Sequence, residues 1–555
     1  MLLSNLDLLA IAPGGVARLR EFILTLAVQG KLVPQDPADE PASALVKTIR
    51  AEKGRLTAEG KSKRDKPLAE IKEEEKPFEL PVGWDWVRLA DVVRVLNGRA
   101  YGKQELLDTG PVRVLRVGNL FTSKHWYYSD LELESEKYCE EGDLLYAWSA
   151  SFGPFIWQGP RAIFHYHIWK LEPWAPHCFD VGYFHKFLAE KTAEIKATGH
   201  GVSMVHMTKE KMEKIVVPYP PLAEQSRIVT RVEELMRLCD ALDAKGKLES
   251  TQHAQLVSTL LGTLTSSATP EELADNWQRV AQHFDLLLDR PEAIDALEQT
   301  LLQLAVRGLL VPQDPIDETA STLLARIRSE KERLISQGKI KRDKPLPPIS
   351  DEEKPFELPV GWEWVRMGEA FDGGSGTTPL RTRTDFFLGG TEMWVKTTDL
   401  TNSSVTTCEE LITKAAVEEN RLRYFPSGTV CIAMYGGAGT IGKSGVLGVS
   451  STVNQSVFAL TPTEGMNSDF LHTYVITVRP RWMSFAAGLR KDPNINGQII
   501  KKMVMPIPPS AEQSRIVTRI TALRRLCDDL RQRLKAAQIT QSHLAQALVE
   551  SSNAL

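Results

Sequence analysis

The sequence contains no run of 18 apolar residues, so it predicts no helix that crosses a membrane. Its six cysteines are scattered and form no CxxC pair, which favours a reduced protein over a disulfide framework or a zinc site. The N-terminal residues lack the basic segment of a secretory signal. We therefore expect a cytoplasmic protein with no membrane partner.

The chain also lacks an excess of positive charge. Lysine and arginine number 67 against 71 acidic residues, and the formal net charge is −4. This balance argues against a protein that is basic throughout, as many small nucleic-acid-binding domains are. A local basic surface remains compatible with it, because acidic residues cluster in stretches such as 70–76.

Most sequence signatures of catalysis are absent as well. There is no NPPF- or DPPY-type tetrapeptide of an adenine methyltransferase, no GxGxxG after a strand, and no PD…(D/E)xK pattern of a nuclease. His165 and His167 alternate on a candidate strand, but two histidines without a third ligand are weak evidence for a metal site. The sequence thus favours a binding protein without a metal or cofactor of its own.

The chain is rich in internal repetition. LAVQGKLVPQDP at 26–37 returns as LAVRGLLVPQDP at 304–315, and EEKPFELPVGW returns at the same offset of 278 residues. PPLAEQSRIVTRVEELMRLCD returns as PPSAEQSRIVTRITALRRLCD at an offset of 288 residues. Between these blocks lie two inserts, residues 89–211 and 367–499, which show little resemblance to each other. The sequence therefore consists of two similar frames that hold two different inserts.

The frame segments predict helices. From Ile228 to Leu242 apolar residues recur at alternating steps of four and three, and an equivalent seam runs from Ile516 to Leu530. Each seam predicts a helix of roughly 35–40 residues, although Gly246 interrupts the pattern in the first copy. We expect the two seams to face each other and to form a spacer. Shorter amphipathic helices are predicted at Ser43–Leu56 and Ser321–Leu334.

The inserts predict strands and loops. Each opens with a Pro-Val-Gly-Trp turn and closes with a proline-rich segment. The β-rich segments are 112–117, 143–150 and 162–171 in the first insert, and 393–400, 429–436 and 451–460 in the second. Two β-rich domains joined by helices make an α+β fold.

The frame motifs, the duplication and the dissimilar inserts together resemble one family. LPVGWxWVRL at the opening of an insert, PIPPxAEQxRIV before a long helix, and TVCIAMYGGAGTIGK followed by TVNQSVFAL are similar to the specificity subunits of type I restriction-modification systems. The resemblance covers almost the full length. It implies that the inserts are target recognition domains, each of which reads one half of a bipartite, asymmetric site on double-stranded DNA.

The same resemblance implies partners. The helices would set the gap between the half-sites and dock two methyltransferase subunits, which carry S-adenosylmethionine and methylate adenine. Restriction-motor subunits would join them and use ATP and Mg²⁺ to translocate and cleave DNA. This chain would then be a non-catalytic subunit of the complex.

On these grounds we predict an α+β fold with two β-rich target recognition domains, long paired coiled-coil-like helices between them, and an internal two-fold-like repeat. The predicted segments are a helical repeat segment at 1–83, the first recognition domain at 84–222, the central long helix with a second helical repeat segment at 223–361, the second recognition domain at 362–509, and the C-terminal long helix at 510–555.

Candidate DNA contacts follow from side-chain chemistry, because arginine suits guanine, asparagine and glutamine suit adenine, and lysine, arginine and hydroxyls suit phosphate. In the first insert the candidates are Asn97, Arg99, Tyr101, Lys103, Arg116 and Asn119. In the second insert they are Arg381, Arg383, Lys396, Tyr435, Lys443, Asn454, Gln455, Arg490 and Lys491. For each of them the alternative is an exposed polar residue that touches no DNA.

One enzyme motif leaves a second functional class open. Residues 437–444 read GAGTIGKS and match the phosphate-loop pattern GxxxxGK[ST], which would make the chain an ATPase. A phosphate loop needs a helix directly after it, whereas the residues that follow Ser444 include two glycines and a β-branched run that predict a turn and a strand. We therefore expect a glycine-rich turn, or a DNA-facing loop with Lys443 at its tip. A third class, a purely structural adaptor, has no use for two dissimilar inserts.

Overall fold

A computed structural model describes residues 12–60, 68–149, 152–198, 207–436, 439–485 and 495–553. No helix among these residues is long and apolar enough to cross a membrane. The chain forms two compact units: unit 1 comprises Met1–Glu249 with Gln538–Leu555, and unit 2 comprises Ser250–Ala537. Unit 1 therefore contains most of the first frame, the first insert and the end of the C-terminal helix. Unit 2 contains most of the second frame, the second insert and the end of the central long helix.

The first half of the chain contains seven described helices and ten strands. The helices are α1 (Gly15–Val28), α2 (Ala42–Ala58), α3 (Leu89–Val92), α4 (Val117–Phe121), α5 (Val181–Thr198), α6 (Lys209–Glu213) and α7 (Leu222–Ser266). The strands are β1 (Asp85–Arg88), β2 (Val93–Asn97), β3 (Val112–Leu115), β4 (Tyr127–Ser129), β5 (Tyr138–Cys139), β6 (Leu144–Ala147), β7 (Gly153–Ile156), β8 (Ala162–Phe164), β9 (Ile168–Pro173) and β10 (Val216–Tyr219).

The second half repeats this order after two additional helices. Its described helices are α8 (Pro270–Gln282), α9 (Phe284–Leu287), α10 (Pro291–Val306), α11 (Ala320–Ser336), α12 (Met367–Ala370), α13 (Lys414–Glu419), α14 (Ser468–Val478), α15 (Trp482–Phe485), α16 (Gly497–Lys502) and α17 (Ser510–Asn553). Its strands are β11 (Glu363–Arg366), β12 (Asp372–Ser375), β13 (Glu392–Val395), β14 (Ser403–Val405), β15 (Leu411–Ile412), β16 (Val430–Ala433), β17 (Ser444–Leu447), β18 (Thr452–Val453), β19 (Val457–Thr461) and β20 (Val504–Ile507). The predicted α+β class is confirmed.

The two long helices are longer than the seams predict. Helix α7 has 45 residues and α17 has 44, so each is about 65 Å long at 1.5 Å per residue. Helix α7 continues without a break through Gly246. A glycine in a helix costs about 1 kcal/mol relative to alanine, and packing at both ends of α7 offsets such a local cost.

In unit 1 the seam of α7 packs against the short helix α1. Arg20 of α1 forms ion pairs with Asp240 at 2.7 Å and with Asp243 at 2.8 Å on α7. The end of α17 completes this core, where Arg18 donates to the Ser542 hydroxyl at 2.8 Å. The buried residues of the three helices in this core include Leu19, Ile23, Ala27, Ile228, Val232, Cys239 and Ala545.

Unit 2 has the same arrangement, but the two long helices exchange their roles. Helix α10 packs on the beginning of α17, where Glu298 pairs with Arg524 at 2.7 Å and with Arg531. The end of α7 completes this core through Val257 and Leu261, which are buried in the same cluster as Ile520 and Cys527 of α17. The predicted pairing of the long helices is confirmed, since each seam packs with the far end of the other long helix. The expectation that the two seams face each other is wrong, because a short helix in each unit covers each seam.

Two buried glutamates explain several of the repeated motifs. The Glu224 carboxylate accepts hydrogen bonds from Trp84 Nε1 at 2.9 Å and from Gln35 Nε2 at 3.0 Å. Glu512 accepts from Trp362 at 3.0 Å and from Gln313 at 3.1 Å in the same way. Burial raises the pKa of both carboxyls, and their donors offset part of that effect. The repeated QDP, VGW and AEQ segments thus join at one buried site in each half.

The two inserts share the strand order of one four-stranded sheet despite their dissimilar sequences, and the second insert adds β14 at the edge of that sheet. The first contains a sheet of order β2-β9-β6-β7 and a sheet of order β4-β3-β8-β5. The second contains the orders β12-β19-β16-β17-β14 and β15-β13-β18. The parallel pair β3 with β8 corresponds to the parallel pair β13 with β18, and the second insert has a further parallel pair, β14 with β17. Each insert is therefore a version of one β-rich architecture.

The predicted strands 162–171 and 451–460 are each divided in two, which corrects the sequence reading. Strand β8 belongs to one sheet and β9 to the other, so the chain crosses between sheets at residues 165–167. The same break separates β18 from β19 at residues 454–456. The expected alternation of His165 and His167 on a single strand is wrong for this reason. We call residues 165–167 and 454–456 the crossover turns.

Candidate nucleic-acid interface

The first crossover turn is held against the end of β3. The His165 amide donates to the Leu115 carbonyl at 2.9 Å, and the Tyr166 amide donates to the Arg99 carbonyl at 3.0 Å. These bonds place the turn beside Arg116, the residue that follows β3, and beside the loop that follows β2. Polar residues that lie up to 67 positions apart in the chain therefore meet at one edge of the insert.

Gly98 permits the close approach of the β2 loop. A Cβ at this position would lie 2.4 Å from the carbonyl oxygens of Phe164 and His165, which is closer than real Cβ atoms come to backbone. Gly376 stands in the same relation to the second crossover turn, since its Cβ would lie 1.6 Å from the Val453 carbonyl oxygen. A glycine is thus required at position 98 by the close packing of the loop on the crossover turn.

A concave pocket of about 370 Å³ opens between the end of β3, the start of β4 and the first crossover turn. The Arg116 guanidinium lies over the Tyr127 ring at 5.3 Å from its centroid. Asn119 is occupied locally, because its Oδ1 accepts from the Arg116 amide at 3.1 Å and its Nδ2 donates to the His125 carbonyl at 2.7 Å. His165 lines the opposite side of the pocket together with His167.

Three histidines line the pocket, and two of them, His165 and His167, are uncharged at neutral pH. Burial lowers the pKa of His165 to about 4, with a smaller contribution from the nearby His167 and Arg116. Burial also lowers the pKa of His167. The His167 amide donates to His165 Nδ1 at 3.4 Å, which leaves the proton of His165 on Nε2. The pocket therefore offers one cation and neutral hydrogen-bonding rings.

The second insert places different residues at the equivalent positions. Lys396 follows β13 as Arg116 follows β3, and its amide donates to the Asp399 carboxylate at 2.7 Å as the Arg116 amide donates to Asn119. Asn454 opens the second crossover turn, and its amide donates to the Val395 carbonyl at 2.9 Å. The equivalent of His165-Tyr166-His167 is therefore Asn454-Gln455-Ser456.

The remaining candidates of the first insert lie near this edge with differing exposure. Asn97 ends β2, and its carbonyl accepts from Lys137 Nζ at 2.8 Å. Arg99 pairs with Glu105 at 2.7 Å and lies 5.4 Å from the Tyr101 ring. Tyr101 is partly buried, its hydroxyl donates to the Phe164 carbonyl at 3.3 Å, and burial raises its pKa. Lys103 is exposed.

Acidic neighbours neutralise the basic candidates of the second insert. Arg381 pairs with Glu410, and Lys396 pairs with Glu409 at 3.0 Å and with Glu410 at 3.3 Å. Arg383 pairs with Asp385 at 2.7 Å. Among the described residues that line the pocket of the first insert, in contrast, none is acidic. The two inserts therefore differ in charge at corresponding places.

The other candidates of the second insert divide into three cases. Tyr435 and Gln455 are exposed. Lys443 is half-buried, and Asn454 is partly committed because its Oδ1 accepts from the Ser456 amide at 3.0 Å. Arg490 and Lys491 lie outside the described residues.

Comparison with known proteins decides the family. The family model for the type I restriction modification DNA specificity domain matches residues 81–250 and 359–541. The chain is 36% identical to the type I restriction enzyme EcoAI specificity subunit of Escherichia coli and 34% identical to the EcoEI specificity subunit of the same organism, in both cases over 97% of this chain and 94% of the relative. The chain belongs to the type I restriction-modification specificity subunits. The crystal structure of the HsdS subunit from Thermoanaerobacter tengcongensis is 17% identical over 86% of this chain and 98% of that chain, with a TM-score of 0.37.

In this specificity subunit the phosphate-loop motif lies in a β-hairpin. Strands β16 and β17 pair antiparallel, with Ile432 opposite Ser444, so the lysine of the motif is followed at once by a strand. The predicted strand after the loop is confirmed, and the helix whose N-terminus would bind phosphate is replaced by it. Gly437 and Ala438 of the motif lie outside the described residues.

Sequence reasoning missed three features of the candidate edge. Tyr166 is 40% exposed in the first crossover turn, and Asp399 and Ser456 occupy positions equivalent to Asn119 and His167. A signal existed in the sequence, because a polar pair interrupts an otherwise apolar run in AIFHYHIWKL and in STVNQSVFAL. Polar residues inside an apolar strand pattern indicate a break between sheets.

Proposed function

We propose that this specificity subunit reads a bipartite, asymmetric DNA site, with one target recognition domain on each half-site. The observation that carries the proposal is that the two inserts share a four-strand sheet order but place different polar residues at equivalent positions. These are Arg116 after β3 with His165 in the crossover turn of the first insert, and Lys396 after β13 with Asn454 in that of the second. A common architecture suits a common ligand, duplex DNA. Different side chains at the same place suit different base sequences.

We further propose that two methyltransferase subunits dock on the two frames. The frames repeat the same buried site, with Glu224 in one and Glu512 in the other, so they can present the same surface twice. Two equal surfaces fit two copies of one partner. Restriction-motor subunits would complete the complex.

The chemistry would then belong to the partners. The methyltransferase subunits would bind S-adenosylmethionine and methylate adenine after flipping it out of the duplex. The motor subunits would use ATP and Mg²⁺. This chain would contribute position and sequence selectivity without a catalytic group of its own.

The test is co-expression of the full chain with the methyltransferase subunits of its own system, followed by genome-wide mapping of N6-methyladenine. We expect one asymmetric motif with two defined parts separated by unspecified bases. The matched control is the chain expressed alone, which should leave the genome unmethylated. Methyl transfer by the chain without partners, or methylation without a defined motif in their presence, would overturn the proposal.

A further inference from the structure

The pocket of the first target recognition domain is assembled from three separate segments. Arg116 comes from the end of β3, Tyr127 from β4, and His165 and His167 from the crossover turn. Its wall is rigid, because backbone hydrogen bonds tie the turn to Leu115 and to the loop after β2. Side chains on such a supported edge keep their geometry when a ligand arrives.

Arg116 is the exposed cation of this pocket. Its guanidinium rests over the Tyr127 ring, and it forms no ion pair with another described residue. Arginine presents a planar fork of N–H donors, and stacking on an aromatic face fixes the plane of that fork. A fixed fork is complementary to a ligand edge with two adjacent acceptors.

The surroundings favour a base edge over a phosphate. A phosphate site gains from several positive charges, whereas the histidines that face Arg116 across the pocket are neutral. Neutral imidazoles can still donate or accept single hydrogen bonds to a base. The concave pocket also suits the flat edge of a base, because hydrogen-bonding side chains line both sides of the pocket.

We propose that this pocket recognises a guanine of the first domain's half-site, with the Arg116 guanidinium donating to the N7 and O6 acceptors of its major-groove edge. His165 and His167 act as positioning residues, because they form the opposite wall and limit which bases enter. The inference rests on the proposed DNA-reading function and adds a specific base and a specific reader to it.

The second domain serves as an internal comparison. Its equivalent cation, Lys396, is bound by Glu409 and Glu410 and cannot form a planar fork. The guanine contact is therefore a property of the first domain alone. Changes at Arg116 should alter one half-site of the motif and leave the other unchanged.

The experiment uses the full chain with its methyltransferase partners and duplexes that contain the mapped motif. Each guanine of the motif is replaced in turn by 7-deazaguanine, which lacks the N7 acceptor. We expect the wild-type complex to lose about 10-fold in affinity at one guanine of one half-site, within the range for a bidentate base contact. R116A should bind the normal and the modified duplex equally and should accept other bases at that position in methylation maps.

Two further variants separate the outcomes. R116K keeps the positive charge but loses the fork, so it should also lose guanine discrimination; a phosphate contact would instead survive the change to lysine. R161A is the matched control, because Arg161 is also an exposed arginine stacked on a tyrosine, 4.0 Å from the Tyr138 ring, but lies outside the pocket. It should leave the motif unchanged.

An R116A complex could keep the original motif while the slope of its log affinity against log salt concentration falls by about one. This result would identify a phosphate contact and overturn the inference. Unchanged affinity and motif in R116A would overturn it as well. Both results leave the proposed function intact, since that fails only if the wild-type complex methylates no defined bipartite motif.

Discussion

The two frames of this specificity subunit are alike in fold and opposite in charge at one contact. Arg20 on α1 and Asp243 on α7 form an ion pair at 2.8 Å in unit 1. The repeat offsets of 278 and 288 residues carry these positions to Glu298 and Arg531, which also form an ion pair, in unit 2. The acid and the base have exchanged helices, while the helices themselves have kept their places.

This reversal shows how a duplicated chain can keep its halves distinct. The apolar faces of α1 and α10 are similar, so hydrophobic burial alone does not tell each short helix which long helix to cover. Helix α10 on the α7 seam would place Glu298 beside Asp240 and Asp243, and α1 on the α17 seam would place Arg20 beside Arg524 and Arg531. Like charges oppose such pairings. Charge therefore supplies the selectivity that the repeated hydrophobic pattern lacks.

The largest change should come from removing the second half altogether. A chain of residues 1–265 retains α1, the first recognition domain and α7, and two copies can close as a symmetric dimer. With methyltransferase subunits it should methylate a palindromic site built from the first half-site and its inverted repeat. Methylation mapping and light scattering would check this, and a monomer, or an unchanged asymmetric motif, would contradict it.

A single residue sharpens this prediction. In the intact chain Arg18 donates to the Ser542 hydroxyl and carbonyl, but the position equivalent to Ser542 on α7 is Ala254. The half-chain dimer would lose the hydroxyl contact. The symmetric dimer forms this contact twice, so A254S in the half-chain should strengthen dimerisation by about tenfold to a hundredfold, for two hydrogen bonds.

The long helices should also act as a ruler for the gap between half-sites. Four residues inserted after Gly246, with four more after the equivalent Leu534, add about 6 Å to each helix and one turn to its apolar face. Since base pairs rise about 3.4 Å, the unspecified gap should grow by one or two base pairs. Methylation mapping should find both half-sites unaltered. A change in the bases read at constant gap would refute the ruler.

Reversing the charge of one member of the ion pair should lower the stability more in the second half of the chain than in the first. The Glu298 side chain is 13% exposed and bound by two arginines, whereas Arg20 is 32% exposed. We expect E298R to lower the free energy of unfolding by about 3 kcal/mol, as for a broken buried pair, and R20E by about 1 kcal/mol, as for a half-exposed one. Urea denaturation would measure both.

The control for this comparison is reversal of both partners. R20E combined with D240R and D243R should recover most of the lost stability. E298R combined with R524E and R531E should recover only part of it, because Asp295 and Asp528 also pair with Arg531. If the single and combined variants were equally destabilised, the charges would have no part in the pairing.

The smallest expected effect is a matched pH dependence in the two frames. Glu75 pairs with the buried Arg88, and Glu353 pairs with the buried Arg366; hydrogen bonds from these arginines lower the pKa of each carboxyl to about 2. Because the folded pKa lies below its usual value near 4.5, this stabilisation is present above pH 4.5 and is lost as the pH falls toward 2.

We therefore expect E75Q and E353Q to reduce the loss of stability between pH 6 and pH 3, by the same amount in each half. Thermal unfolding at several pH values would measure it. The exposed Glu79 and Glu357 occupy equivalent positions without such a pair, and E79Q and E357Q serve as controls. A different dependence of stability on pH in the two halves would show that the frames are not electrostatically equivalent at this site.

The sequence alone determined the duplication, the α+β class, the long helices and the strand that follows the phosphate-loop motif. These features depend on local periodicity and on repeated letters, which are read directly from the chain. The tight relation between sequence and structure is clearest at Glu224 and Glu512, where the repeated motifs meet in the same buried site.

The tertiary structure decided what covers each seam and which polar groups are available to a ligand. The seams looked complementary to each other, but α1 buries one seam in unit 1 and α10 buries the other in unit 2. Lys396 and Arg116 looked equivalent as cations, but Lys396 meets carboxylates 13 and 14 residues away, whereas no carboxylate is among the described residues that line the pocket of Arg116. Such differences arise because the charge of a site is the sum of groups brought together from distant positions, and no local pattern encodes that sum.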